Sequence, residues 1–215
     1  MFAYDSKFST FSRKIGKYLL INALLVISSI PIFTLGTAIS ATYYTLLENL
    51  LRDRGYLAGT FFGAFKRNFK QGVLLWLICL PVIALLIFDI VYFFNSLQAG
   101  YGYGYLYILF VILLVFVALL VLYIFAYLAR FTDNMRTIMR NAALIMLSNP
   151  WPNIKLLSLI LAGALGIYLL PWLALIFPVI LLRLSVTILE KVFAKYMRQE
   201  DLEQEAEKNQ TYSGR

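Results

Sequence analysis

The side chains that most often perform chemistry in proteins are scarce in this sequence. It contains no histidine and a single cysteine, Cys79, which lies within an apolar run. The lack of histidine removes the most common general base and the most common zinc ligand. One cysteine provides neither an intramolecular disulfide nor a paired-cysteine metal site. The sequence also has no Walker A motif and no GxGxxG motif after a strand. We therefore expect no catalytic, cofactor-binding or metal-binding residues, and a protein that is not an enzyme.

Four ionisable residues lie within or at the ends of apolar stretches and are the candidates for an intramembrane polar cluster. They are Glu48, Asp89, Arg183 and Glu190. A charged side chain at the centre of a membrane helix costs about 2.5–3.5 kcal/mol, so each is expected to find a partner. Arg183 is expected either to extend towards the cytoplasmic interface or to pair with Glu48. Such a pair would serve as a structural tether, and handling of a substrate or proton is the alternative.

The composition places these residues in a membrane protein. Of the 215 residues, 61% are hydrophobic and only 14% are charged, whereas soluble domains are about 25% charged. A soluble core of this size does not bury so much apolar surface. The aromatic content of 16% agrees with this interpretation, because aromatic rings collect at the two membrane interfaces.

Apolar segments predict the number of membrane spans. A spanning helix needs roughly 20 mainly apolar residues. Six segments meet or approach this length: Lys17–Pro31, Phe33–Leu51, Gly72–Phe94, Tyr105–Ala129, Ile154–Leu170 and Trp172–Glu190. We predict an all-α, polytopic membrane helical bundle with six transmembrane helices in three hairpins. In the alternative, the first two segments form one kinked or re-entrant unit.

The positive charges predict the orientation of this bundle. Of the 19 Lys and Arg residues, all but Arg183 lie before the first span, after the last, or in the two loops on that same side. Positively charged loops remain in the cytoplasm, so both termini are predicted to be cytoplasmic. Residues 1–198 are predicted to form the membrane domain, and residues 199–215 a polar, acidic tail.

Two segments on the cytoplasmic side have helical amphipathic spacing and are predicted to be interfacial helices. The first, residues 55–70, places Phe61, Phe65 and Phe69 four residues apart. Its alternative is a stalk that extends the third span.

The second amphipathic segment, residues 131–146, carries a methionine-rich stripe that is a candidate docking face. The first members of the stripe are Phe131, Met135, Ile138 and Met139. Methionine is flexible and polarisable, which suits an adaptable binding surface. The alternative is ordinary internal packing.

Residues 30–71 carry a recognisable pattern. A Pro-x-x-Thr-x-Gly turn precedes a helix of small and aromatic residues that ends in a charged segment. A Phe-x-x-x-Phe pair and an asparagine then precede the next span. The matching residues are Pro31, Thr34, Gly36, Phe61, Phe65 and Asn68. This pattern resembles the YesL family of bacterial integral membrane proteins, and the resemblance extends to about residue 198.

The resemblance implies association with carbohydrate ABC importers and a location in the bacterial cytoplasmic membrane, and it brings no catalytic residues. We therefore expect an accessory or interaction protein whose partners are membrane lipid and ABC sugar permease subunits. Nucleic acid is not expected as a partner, because basic inner loops are the default of membrane insertion. The alternative function is that of an autonomous small-solute transporter.

Overall fold

The computed structural model describes residues 7–171 and 177–197, with side chains from residue 15 onwards. Over these ranges the regular structure is entirely helical, which confirms the predicted all-α class. The predicted acidic tail, residues 199–215, lies outside the described residues. The described α-helices are α1 (Lys7–Ser29), α2 (Leu35–Thr45), α3 (Leu57–Gln98), α4 (Tyr107–Arg130), α5 (Met135–Ser148), α6 (Pro150–Leu169) and α7 (Phe177–Phe193).

Three of the described helical units are long and apolar enough to cross a membrane. They are α3, the unit Gly102–Arg130 formed by a short 3-10 helix with α4, and α6. Such helices are typical of a membrane protein. The predicted count of six spanning helices is wrong for the described residues. The apolar part of α1, Ile15–Ser29, is shorter than a spanning helix. The described part of the last predicted span is α7, which has 17 residues.

The predicted second span, Phe33–Leu51, is not one continuous α-helix. It consists of a 3-10 helix at Ile32–Thr34, the 11-residue helix α2 and a π-helix at Leu46–Leu51. Most of α2 is buried, and it contacts α1, α3, α4 and α7. Its small and hydroxyl side chains allow neighbouring helices to approach closely. Hydropathy predicted a membrane span here, and the structure places α2 at the centre of the bundle.

Helices α2 and α3 pack antiparallel with their backbones close together. Trp76 Nε1 donates a hydrogen bond of 2.8 Å to the carbonyl oxygen of Ile32, in the 3-10 helix that precedes α2. Further along, Asn68 Nδ2 donates to Ser40 Oγ over 3.1 Å. Between these two contacts lies Gly72, where an added Cβ would be 2.5 Å from Thr37 Oγ1. The contact therefore requires glycine at position 72.

Helix α3 is a single element of 42 residues that continues through Pro81. At 1.5 Å per residue it is about 63 Å long, roughly twice the thickness of a bilayer core. The segment considered as an interfacial helix, residues 55–70, largely forms the first turns of α3. The structure therefore has the stalk that was the alternative for this segment, and Phe61 on this stalk is fully buried.

Helices α6 and α7 form a second antiparallel pair. An added Cβ at Gly166 would be 3.4 Å from the ring of Phe177, and Gly163 lies against Leu181. The C-terminal end of α7 packs its buried Phe193 against Tyr123 and Tyr127 of α4, with ring centroids 6.5 and 6.3 Å apart. This packing brings the ends of α4 and α7 together.

Replacing Gly72 with alanine is expected to destabilise the protein by about 1–3 kcal/mol, because overpacking a close helix contact forces the neighbouring backbone to move. The added Cβ would be 3.0 Å from Thr37 Cα, which is backbone. The measurement is thermal unfolding of the purified protein in detergent, followed by tryptophan fluorescence.

Gly63→Ala is the matched control, because position 63 lies in the same helix and an added Cβ there meets no atom within 4 Å. Alanine favours a helix by about 1 kcal/mol over glycine, so this variant should melt no earlier than the parent protein. Equal melting temperatures for the two variants would contradict the close contact between α2 and α3.

Candidate functional site

Charged side chains from three parts of the chain meet at one end of the bundle. We call Glu48, Arg52, Arg54, Arg130 and Glu190 the Arg–Glu cluster. Glu48 and Arg52 come from the end of the α2 region, Arg54 from the loop before α3, and the last two residues from the ends of α4 and α7. Their side chains are only 8–18% exposed. Charged groups buried to this extent are stable only when they are paired.

Glu48 neutralises charge within its own segment. Its Oε1 is 2.7 Å from Arg52 Nη1, one helical turn away, and its Oε2 is 3.7 Å from Arg54 Nη1. The backbone supports this geometry, since the Arg54 N–H donates to the Glu48 carbonyl over 2.7 Å. One carboxylate therefore holds two guanidinium groups at the start of the α2–α3 loop.

Glu190 joins α7 to the rest of the bundle. Its Oε2 is 3.3 Å from Arg130 Nε on α4 and 3.9 Å from Arg52 Nη2. The buried hydroxyl of Tyr43 on α2 donates to Glu190 Oε1 over 2.9 Å. A single carboxylate thus contacts α2, α4 and Arg52, the residue that follows the π-helix.

The loop between α2 and α3 is shaped by a buried asparagine and two left-handed residues. Asn49 Nδ2 donates to the carbonyl oxygens of Arg54 and Gly55, over 2.5 and 2.9 Å. Asp53 and Gly55 have φ values of +50° and +75°, a conformation that glycine adopts without strain and aspartate tolerates. This tight loop places Arg54 beside Glu48.

A pocket of about 540 Å³ opens beside the Arg–Glu cluster. Four arginines and one glutamate line it, and glycines of the loop and of α3 form part of its wall. Arg67 belongs to this lining, and its guanidinium lies over the ring of Tyr44, 4.7 Å from the centroid. The charged and glycine lining residues are Glu48, Arg52, Arg54, Arg67, Arg130, Gly55, Gly59 and Gly63.

The structure brings together two of the four residues of the predicted polar cluster. Glu48 and Glu190 are both bound to Arg52. Asp89 lies 30 residues beyond Gly59 on α3, which corresponds to about 45 Å of helix. It is therefore remote from the pocket.

Arg183 does not pair with Glu48, the partner that the sequence suggested. Its Nη1 instead donates to Thr187 Oγ1 over 2.6 Å, one turn along α7. Sequence reasoning did not identify Arg52, Arg54, Arg130 or Tyr43 as site residues. In the sequence, the three arginines served only to predict the orientation of the bundle. Neither the hydropathy nor the spacing of the residues linked them to Glu190.

The candidate docking face is used mainly for internal packing. Ile138 is fully buried, and Phe131 and Met135 pack against the core of the bundle. Met139 is 36% exposed. The alternative interpretation, ordinary packing, thus describes three of the four residues.

The six residues of the family pattern have structural contacts. Thr34 Oγ1 donates to the carbonyl oxygens of Ser28 and Pro31, both over 2.6 Å, which stabilises the turn between α1 and α2. Gly36 packs against the ring of Phe125 and the Cβ atom of Trp76.

The remaining members of this pattern lie on α3. The rings of Phe61 and Phe65 stack with centroids 6.0 Å apart. Asn68 also donates to the Leu128 carbonyl of α4 over 3.2 Å. None of the six pattern residues lines the pocket beside the Arg–Glu cluster.

Part of the chain matches a known protein family. Residues 18–90 match the sequence model of a family described as "Protein of unknown function, DUF624". This range contains all six residues of the pattern, together with Glu48, Arg52 and Arg54. No curated protein and no solved structure matches the chain.

Glu190→Gln is expected to destabilise the protein by about 3–5 kcal/mol, the usual effect of removing one partner of a buried ion pair. The substitution retains the shape of the side chain but removes the charge that faces Arg130. Thermal and chemical unfolding in detergent would measure the loss.

Asp53→Asn is the matched control, because it removes a carboxylate from an exposed pair. The Asp53 side chain is 88% exposed and lies 3.2 Å from Lys17 Nζ; such pairs contribute about 0–1 kcal/mol. Asparagine also tolerates the left-handed backbone at position 53. If both variants lost the same small amount of stability, Glu190 would not be the tether described here.

Proposed function

We propose that this chain is an accessory membrane protein of the YesL type, which associates with a carbohydrate ABC import system and catalyses no reaction itself. The observation that carries this proposal is the match over residues 18–90, because it contains every residue on which the resemblance to the YesL family is based. These residues serve to hold α2 between α3 and α4. The proposal therefore assigns to the matched region a scaffold rather than a reaction centre.

The outer surface of the bundle supports an interaction role within the membrane. Large apolar side chains are exposed along α3 and α4, including Leu85 at 61%, Phe88 at 65% and Ile112 at 60%. Apolar surface of this extent is stable in contact with lipid or with another membrane protein. A permease subunit offers such a surface.

The described cavities favour an accessory role over an autonomous carrier. The polar pocket lies at the end of the bundle that holds the Arg–Glu cluster. A second pocket of about 650 Å³ is lined mainly by apolar side chains, such as Leu25, Val121 and Leu181. A hydrophilic solute would need polar partners along its path through the bilayer, and this second pocket offers few.

In this proposal the end that holds the Arg–Glu cluster faces the bacterial cytoplasm, and both termini lie on that side. Lys17, near the N-terminal end of the described residues, contacts Asp53 in the loop that also carries Arg54. Glu190, near the C-terminal end of the described residues, belongs to the Arg–Glu cluster. The positive-inside rule assigns the more basic end to the cytoplasm.

A cysteine introduced as Lys66→Cys, in a Cys79→Ser background, is expected to react with a membrane-impermeant maleimide only in inside-out vesicles. Tyr103→Cys is the matched control, because Tyr103 is 49% exposed in the loop between α3 and α4. It should react only in right-side-out vesicles. The reverse pattern would overturn the proposed orientation.

Association with an importer predicts that the tagged full-length chain, purified in mild detergent from its own bacterium, carries sugar permease subunits. These would be identified by mass spectrometry, and chemical cross-links should join them to the chain. A tagged, unrelated membrane protein of similar size is the control. Repeated recovery without any permease subunit would contradict the accessory role.

A flux assay on the purified protein distinguishes the accessory role from the alternative, an autonomous small-solute transporter. Solute flux into liposomes that contain only this chain, abolished by Arg183→Ala, would establish an autonomous carrier in place of the accessory protein. We expect no such flux.

A further inference from the structure

We propose that the apolar pocket between α1, α2, α4, α6 and α7 is a binding site for one acyl chain of a membrane phospholipid. We call this cavity of about 650 Å³ the acyl pocket. It shares no lining residue with the polar pocket beside the Arg–Glu cluster. The site concerns this chain alone, so it can fail independently of the proposed association with an importer.

The acyl pocket lies at the middle of the bundle. Ala118, Val121 and Leu122 of α4 line it, and Ala118 is near the midpoint of α4, about 17 Å of helix from either end. Helix α4 belongs to a unit that is long and apolar enough to cross a membrane. The pocket is therefore at the depth of the bilayer centre, where the solvent is the hydrocarbon of lipid chains.

The turn between α1 and α2 forms part of the pocket wall and suits surroundings without water. Thr34 Oγ1 donates to the carbonyl oxygens of Ser28 and Pro31. Carbonyl groups inside hydrocarbon need such partners, because no water is available to them. Ile30 and Ile32 of this turn are 73% and 67% exposed, an exposure that lipid stabilises. The hairpin of α1 and α2 therefore turns back within the bilayer, beside the pocket.

The lining offers hydrocarbon contacts instead of polar ones. None of the described residues that line the acyl pocket is charged. The hydroxyl groups of Ser29 and Ser185, which belong to the lining, donate to carbonyl oxygens of their own helices over 2.7 and 2.9 Å. Apolar cavities of this kind exclude water. The ligand that matches this lining is a hydrocarbon chain.

The volume of the acyl pocket suits one chain. An apolar cavity of about 150 Å³ holds one benzene molecule. On that scale the pocket has space for roughly 20 carbon atoms or more, enough for one acyl chain. Without an occupant, the side chains of the lining would lose their dispersion contacts on this side. A chain from the surrounding lipid supplies those contacts.

The acyl pocket is open towards the lipid. Val26 and Ile30 line it and are 41% and 73% exposed on the outer surface of the bundle. A chain can therefore enter sideways from the bilayer without passing through water. The half-thickness of the bilayer core, about 15 Å, is the depth that one acyl chain covers. A lipid whose headgroup remains at the interface thus reaches the pocket with the end of its chain.

The test uses the full-length protein in phosphatidylcholine liposomes with a trace of phosphatidylcholine that carries a photoreactive diazirine at the end of one acyl chain. Peptide mass spectrometry after irradiation locates the label. We expect label at Leu25, which lines the pocket and is only 6% exposed, so that lipid around the bundle does not reach it. Leu85 and Phe88, which are exposed on α3, are the internal reference. A probe with the diazirine on its headgroup should leave Leu25 unlabelled.

Ala118→Trp should abolish the label at Leu25 by filling the pocket, and the label at Leu85 should not change. Ala84→Trp is the matched control, because it adds the same side chain at an exposed position of α3, outside the pocket lining. This control should be labelled at Leu25 as the parent protein is.

Val26→Trp fills the pocket from α1 and should have the same effect as Ala118→Trp. It provides the test if the α4 variant does not fold, because Val26 is partly exposed and a larger side chain there disturbs less of the packing. Absence of label at Leu25 in the parent protein would overturn the site, whether the pocket is filled by another segment of the chain, by a second copy or by nothing. Equal labelling of Leu25 in Val26→Trp and Ala84→Trp would also overturn it.

Discussion

A charged side chain that is buried at the end of an apolar bundle needs a partner of opposite charge. Glu190 is such a partner for Arg130 on α4 and for Arg52 in the segment after α2. It faces Arg130 and Arg52 and accepts a hydrogen bond from Tyr43. Removing one partner of a buried pair costs several kcal/mol, more than a typical surface contact contributes. The end of α7 is therefore fixed to the centre of the bundle by electrostatics as well as by the packing of Phe193.

The close packing of α2 on α3 determines where those charges lie. Gly72 admits the backbone of Thr37, and the hydrogen bond from Trp76 to Ile32 sets the register of the two helices. With this register, the last turn of the α2 region lies beside the first turns of α3. Arg52 and Arg54 consequently face the wall formed by Gly59 and Gly63. The helix contact and the charged pocket are thus parts of one arrangement.

The sequence predicted the helical class, the long apolar helices α3 and α4, and the importance of opposite charges at the segment ends. It did not predict the buried position of α2, because hydropathy does not distinguish contact with lipid from contact with protein. The pairing of Glu190 with Arg52 joins residues more than 130 positions apart, which no local periodicity encodes. For Arg183, the sequence suggested Glu48 on a distant segment as the partner. The partner in the structure is the hydroxyl of Thr187, one turn away on the same helix.

Two faces of helix α3 have different roles, and the residues of the sequence pattern lie on only one of them. Phe61, Phe65 and Asn68 recur at helical spacing on the face that holds α2 and α4, whereas Gly59, Gly63 and Arg67 recur on an adjacent face that lines the pocket. The match over residues 18–90 ends before α4 and α7, which supply Arg130 and Glu190. A protein that shares only this region would share the scaffold and part of the arginine lining. Whether it also closed the pocket would depend on the charges at the ends of its later helices.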